Sequence, residues 1–340
     1  MEHRFSKTDS HCADHAIQQH ENEVMTGFMT FAARRLAGAI LTLFLVSVTV
    51  FGAIHWLPGS YADVFLGAHP TAAAKARIEE TFGLDRPLPI QYAKWIAAAL
   101  KGNFGVSLVT QKPVAEEFAV RLPVTVELSI MATLIAIVLG IPLGICGGLE
   151  RSRFVSGVSR VCGSLAISVP DFVIGSILIY LFSRYRLGLT VATWVSPGVN
   201  LAQSALAALL PACTLAALGV GFIMTTARHA TISVRGTPWF LAAVARGKTT
   251  AAIVREHVVK NAAIPVVTVI AIYIGYLLGG TAIVESLFTV PGMGRYIVEA
   301  VQLRDYPVVQ AGVLLAAAVF IVLNLVADLL YAALDPRIRV

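Results

Sequence analysis

Few residues in this sequence are spaced to do chemistry. Across the 340 residues no Ser-His-Asp, HExxH or paired-carboxylate arrangement stands out, so catalysis by the chain is not supported. The nearest approach to a nucleotide motif is "ARGKTT" at 245–250, where Lys248 and Thr249 stand as at the end of a Walker A loop. The first glycine of such a loop would fall at Ala242, and no strand precedes it, so the phosphate cradle is missing. His3, His11, His15 and His20 crowd the N-terminus. Histidine tracts can bind metal, but no ligand spacing recurs. A disordered tail over 1–30, or a natural start at Met29, accounts for them. Cys12, Cys146, Cys162 and Cys213 share no CxxC spacing and imply neither a disulfide nor a zinc site.

The other candidates are polar residues within apolar stretches, where ionisable groups mark function by default. Asp171 follows Pro170 and either faces a pathway or caps a helix restarted after the proline. Glu285 and Asp305 flank "FTVPGMGRYIVEA", a Pro/Gly-broken amphipathic segment with the makings of a short gate helix. Glu285 could equally pair with Arg295 or Arg304. Asn324 and Asp328, four apart, share one helix face and suit interhelical hydrogen bonds or a pathway lining.

The elements that hold these residues must be membrane helices. Hydrophobic residues make up 57% and charged ones only 14%, with a mean hydropathy of +0.76. A soluble domain carries about 25% charge, so lipid is the solvent, and crossing it takes ~20 apolar residues. The fold class is all-α membrane protein. Charge-free stretches place six transmembrane helices: 36–54, 128–149, 161–182 (broken at Pro170-Asp171), one within 187–227 starting near Ala205, 261–284 and 306–327. Four-residue glycine spacings at Gly140, Gly144 and Gly148, and at Gly275 and Gly279, supply close-packing faces.

A net charge of +6 would suggest nucleic acid for a soluble domain; here it sets topology. The segment 226–261 holds Arg228, Arg235, Arg246, Lys248, Arg255 and Lys260 against Glu256 alone, so it and both termini are cytoplasmic. The chain divides into a tail (1–30), a first transmembrane helix (31–56), an extracytoplasmic (periplasmic) module after helix 1 (57–121) and a core (122–340). Within the outer module, a helical run passes from Thr71 through Lys75, Arg77 and Glu80. "GLDRPLP" then turns, and helical spacing resumes at 91–100. Between helices 4 and 5, Thr237-Pro238 opens a short helix that Gly247 ends in a left-handed conformation. Thr249 then caps a second short helix roughly perpendicular to it. A short helix with an apolar face beneath the bilayer needs a protein partner or lies on lipid headgroups, which its alanine-rich, weakly amphipathic face disfavours.

That segment, 237–261, resembles the EAA loop of ABC importer permeases of the dipeptide, oligopeptide and nickel family. Ala242, Ala243 and Gly247 match its Ala-Ala-x-x-x-Gly core, with Leu241 where many relatives have Glu. His257, Asn261 and Pro265 match the subfamily's continuation. "GLDRPLPIQYAKWI", "GNFGVS", "SVPDF", "GGTAIVESLFTVPGMGRYIVEAVQLRDYPVVQ" and "NLVADLLYAALDPRIR" match as well, covering nearly everything from Thr30 onward. The resemblance implies a bacterial inner-membrane permease whose EAA segment forms a cytoplasmic coupling helix between helices 4 and 5. Implied partners are a second homologous permease in a heterodimer, two ATPase subunits carrying ATP and Mg, and an extracytoplasmic binding protein that the outer module contacts. The chain itself would hold no cofactor. Peptide import is the expected function, nickel import the alternative within the family. A stand-alone secondary transporter is the alternative from another class, although the inverted repeats it calls for are not found.

Overall fold

The computed structural model describes residues 5–56, 71, 85–150, 152–185, 194–195 and 200–334. Helix α1 (Phe5–Trp56) begins well inside the segment expected to be a tail. No glycine or proline interrupts the chain before Gly27, so nothing in this stretch breaks a helix. The helical run expected around Lys75, Arg77 and Glu80 lies outside the described residues. Helix α2 (Leu88–Ala99) follows the "GLDRPLP" turn, with Pro87 at its N-cap. It rests on the far end of α1: the Tyr92 hydroxyl lies 2.7 Å from Ser47 Oγ, and the Phe51 ring packs edge-on to Tyr92.

Helix α3 (Val114–Gly148) begins within the segment assigned to the outer module, with Glu116 and Glu117 in its first turn. Acidic side chains there complement the helix dipole. Helices α4 (Arg153–Ser168) and α5 (Asp171–Tyr185) are bent by 102° at the Val169-Pro170 break. Proline lacks the N–H that would continue α4, and its ring disfavours a helical residue before it. Helix α6 (Leu201–Arg235) starts earlier than the sequence suggested, because Asn200 caps it: its side chain accepts from Ala202 N–H at 3.0 Å and Gln203 N–H at 3.1 Å.

Five described helical stretches are long and apolar enough to cross a membrane: Met29–Trp56, Val114–Gly148, Ala202–Arg235, Thr250–Leu277 and Tyr306–Val326. Counting the bent α4–α5 pair as one span makes six.

The centre of the molecule is the parallel pair α3 and α6. Glycines on α3 let the two backbones approach: a Cβ on Gly140 would come within 2.9 Å of Ile223, one on Gly144 within 2.5 Å of the Met224 carbonyl, and one on Gly148 within 2.6 Å of Thr231. Leu128, Ala132, Ala136, Leu215 and Ile223 fill the seam. Without a hydrophobic force between helices in lipid, such close packing is what associates them. Helix α9 (Val259–Gly280) crosses this pair, sending the Tyr273 ring into a notch at Gly219, where its hydroxyl donates to the Leu215 carbonyl at 3.0 Å. Of the second glycine pair, Gly275 receives the Phe320 ring, whereas a Cβ on Gly279 would meet no described atom within 4 Å. Helices α10 (Ala282–Leu287), α11 (Met293–Gln302) and α12 (Tyr306–Leu334) complete the described chain. The α10–α11 hairpin closes the end of the bundle where α3 and α6 begin; the 237–261 segment lies at the other end.

Candidate functional site

Two sites emerge, one at each end. At the first, Glu285 lies on α10 and is fully buried. Burying a carboxyl group is costly unless hydrogen bonds replace water, and here three do. Thr125 Oγ1 of α3 donates to it at 2.7 Å, Thr281 Oγ1 at 3.0 Å, and the Arg295 backbone N–H at 2.8 Å. Thr125 Oγ1 in turn accepts from the Met293 N–H at 2.9 Å. Thr125 and Glu285 therefore satisfy the open N–H groups at the start of α11. Gly292 makes this possible, since a Cβ there would come within 2.3 Å of the Glu285 carboxyl carbon.

The pairing considered between Glu285 and a guanidinium is corrected at Arg295. The contact is with the Arg295 backbone, while its side chain turns to Glu299 at 2.6 Å. The reason is geometric: N–H groups at the start of α11 point back at α10, whereas the long side chain reaches solvent.

Asp305 plays the matching part on the other flank. It is 2% exposed, accepts from the Ser107 hydroxyl, and takes the Leu108 N–H at 3.1 Å. It thereby pins the "GNFGVS" loop, where Gly105 adopts a φ of +84° and its carbonyl accepts from the Val114 N–H at 3.0 Å. Between these anchors the α11 side chains Met293, Tyr296 and Ala300 pack on Val114, Phe118, Val308 and Ala311. Arg121 covers the Tyr296 ring at 4.0 Å. Burial pushes the Tyr296 phenol above its ordinary range, so it remains a neutral part of this cap.

At the second site, helix α7 (Pro238–Ala245) starts with proline at its first position after Thr237. Thr237 does not cap with its side chain; its hydroxyl donates to the Val234 carbonyl instead, at 2.6 Å. At the other end Gly247 has a φ of +74°. Its N–H bonds the Val244 carbonyl at 2.9 Å, and the Lys248 N–H bonds the Ala243 carbonyl at 3.2 Å. This bond pair is a Schellman motif, which glycine adopts without Cβ strain.

Thr249 then accepts from the Ala252 N–H at 3.4 Å and opens α8 (Thr250–Ile253). The second helix, expected to be short and to lead to Asn261 and the fifth span, does lead there, but without a break: α8 passes through a π-helical turn, Val254–Val258, directly into α9. The wide turn carries Glu256 and His257. His257 packs on the Trp239 ring at 4.7 Å, Lys248 pairs with Glu256, and the Asn261 amide donates to the His257 carbonyl at 2.7 Å. Of the five residues expected here, Ala243 is fully buried while Ala242, Gly247 and Asn261 are exposed and His257 is half-buried. Leu241 and Val244 present apolar side chains outward.

The remaining candidates scatter. Asp171 begins α5, and its carboxyl accepts from the Phe172 N–H at 2.8 Å, with the Tyr276 hydroxyl of α9 at 3.5 Å. Asn324 donates to the Phe320 carbonyl of its own helix at 3.1 Å, and Asp328 pairs with Arg35 of α1 at 3.0 Å. Both line a cleft between α12 and α1, not the site of Glu285.

Sequence reasoning missed several partners. Glu127 on α3 accepts from Ser204 at 2.9 Å, and Glu150 pairs with Arg235 at 2.9 Å beside the buried Arg228. Both acids sit just beyond the charge-free windows that defined the second span, which is why a search for uncharged runs passed them by. Among the described residues no three His, Cys, Asp or Glu side chains gather as a metal site; the N-terminal histidine side chains lie outside them.

Comparison with known proteins places this arrangement. The sequence pattern described as "Binding-protein-dependent transport system inner membrane component" matches residues 119–340, and its N-terminal companion matches 28–129. The chain is 34% identical to "Probable peptide ABC transporter permease protein y4tP" of Sinorhizobium fredii, over 91% of this chain and 99% of that protein. It is 38% identical to "Glutathione transport system permease protein GsiC" of Escherichia coli, over 92% and 99% respectively. The protein of that name from Salmonella choleraesuis matches to the same extent.

Proposed function

This chain belongs to the inner membrane components of binding-protein-dependent transport systems, and from that premise we propose that it carries di- or oligopeptides across the membrane. It is a permease subunit of an ATP-driven importer, not an enzyme. The observation that carries the peptide reading is near full-length similarity to two permeases, one named for peptides and one for glutathione, itself a tripeptide.

The rest of the assembly follows from the same reading. Two ATPase subunits supply ATP and Mg in the cytoplasm, a second related permease completes a heterodimer, and an extracytoplasmic binding protein delivers substrate to the end closed by α10 and α11. The six basic residues of the 226–261 segment support a cytoplasmic position for it and for both termini. Helix α7, with Leu241 and Val244 outward, serves as the coupling helix docked on an ATPase. Because the Gly247 turn joins α7 to α8 and, through the π-helical turn, to α9, movement of the docked helix is passed into a membrane span. Glu285 serves as the latch of an outer gate; Asp171, Asn324 and Asp328 stand away from that latch.

The substrate is tested with the complete transporter in proteoliposomes supplied with its binding protein. Uptake of a labelled dipeptide should be displaced by unlabelled di- and tripeptides and unaffected by nickel. Nickel uptake without peptide uptake would overturn the peptide assignment.

A further inference from the structure

A second polar feature lies apart from both sites, between α1 and α12. A cleft of about 620 Å³ opens there, with Arg34, Arg35, Asn324 and Asp328 at one end and apolar side chains along its length. Asp328 is engaged by Arg35 at 3.0 Å, and Arg35 also lies over the Phe31 ring at 5.4 Å. Arg34, which is exposed, makes no hydrogen bond or ion pair among the described residues. The two guanidinium groups outnumber the one carboxylate, so the described lining carries one net positive charge. Arg34 and Arg35 immediately precede the uncharged run 36–54, which sets them at headgroup depth, with the cleft running on toward the hydrocarbon. The floor is open at Gly38, where an added Cβ would meet no described atom within 4 Å.

We infer that this cleft is a binding site for one anionic phospholipid, its phosphate on Arg34 and Arg35 and an acyl chain along Ile321 and Leu325. Charge complementarity selects the occupant. A guanidinium fork matches two phosphate oxygens, and basic pockets between membrane helices take anionic headgroups in this way. A zwitterionic lipid brings no net charge to offset Arg34. A helix of a second subunit laid here would desolvate that arginine, which the described side chains leave without a partner. The site does not depend on which solute the transporter carries.

Native mass spectrometry of the detergent-purified transporter, titrated with phosphatidylglycerol or phosphatidylcholine, tests the assignment. Wild type should retain phosphatidylglycerol in preference. Arg34→Ala should weaken that binding about fivefold, the effect of one basic residue near a lipid surface. Asp328→Asn should strengthen it severalfold, and two opposite shifts cannot both come from misfolding. Equal retention of the two lipids, shifts in one direction for both variants, or displacement of the lipid by inorganic phosphate would overturn the inference. So would efficient cross-linking of a Gly38→Cys variant to the partner permease.

Discussion

Replacing Glu285 by alanine should release the α10–α11 hairpin, and the size of the effect can be worked out from its contacts. Three buried donors, Thr125 Oγ1, Thr281 Oγ1 and the Arg295 N–H, would lose their acceptor together. A net ~1.5–3 kcal/mol attaches to each hydrogen bond to a charged group. Such bonds share partners and are not additive, so the total expected is about 3–6 kcal/mol. Glu285→Gln keeps the shape and one acceptor oxygen, and should lose about 1–3 kcal/mol. The assay is the thermal midpoint of the purified transporter together with proteolysis within 288–295. The deciding measurement is the pair with Thr125→Val. If Thr125 works through Glu285, that substitution should cost clearly less in the Glu285→Ala background than in wild type. Additive losses, or a hairpin equally resistant to protease in both, would refute the latch.

Three further outcomes follow from the same geometry. Gly247→Val places a β-branched residue at a φ of +74°, at a cost of at least ~1–2 kcal/mol. No described atom lies within 4 Å of its Cβ, so assembly should persist while ATP hydrolysis is uncoupled from uptake, and normal uptake would show that the turn takes no part in coupling. Gly144→Leu drives a side chain into the Met224 carbonyl, which cannot move aside. It should destabilise the α3–α6 pair by about 1–3 kcal/mol and lower the amount of folded protein recovered from membranes. Asp305→Ala should free the loop at Ser107–Val109, read as faster hydrogen exchange of the Leu108 amide with little change at Gly144.

How much of this was legible in the residues differs from place to place. The spans were readable because lipid demands long uncharged runs, and the 102° break at Pro170 was readable because proline cannot continue a helix. The Gly247 turn was equally plain, since glycine after an alanine-rich helix points to a left-handed end. The continuity of α8 with α9 was not. Thr249 gives a true start signal, but the π-helical turn at Val254–Val258 keeps the helix going without any residue that announces it. The buried hydrogen-bonded site at Glu285 was half legible. Its isolation in an apolar stretch drew attention, yet beside the local Thr281 hydroxyl its partners are a threonine on α3, 160 residues distant, and a backbone amide that no side-chain pattern encodes. Asn324 and Asp328 shared a helix face as their spacing required, but only the packing of α12 on α1 decided that this face meets Arg35.

The role proposed for this chain is that of a gate driven by a separate ATPase through the 237–261 segment. It is tested most directly by reconstituting the permease pair in proteoliposomes with the binding protein, with and without the ATPase subunits. Peptide uptake should occur only when the ATPase subunits and ATP are both present. Uptake by the permeases without the ATPase, driven by an ion gradient alone, would contradict it.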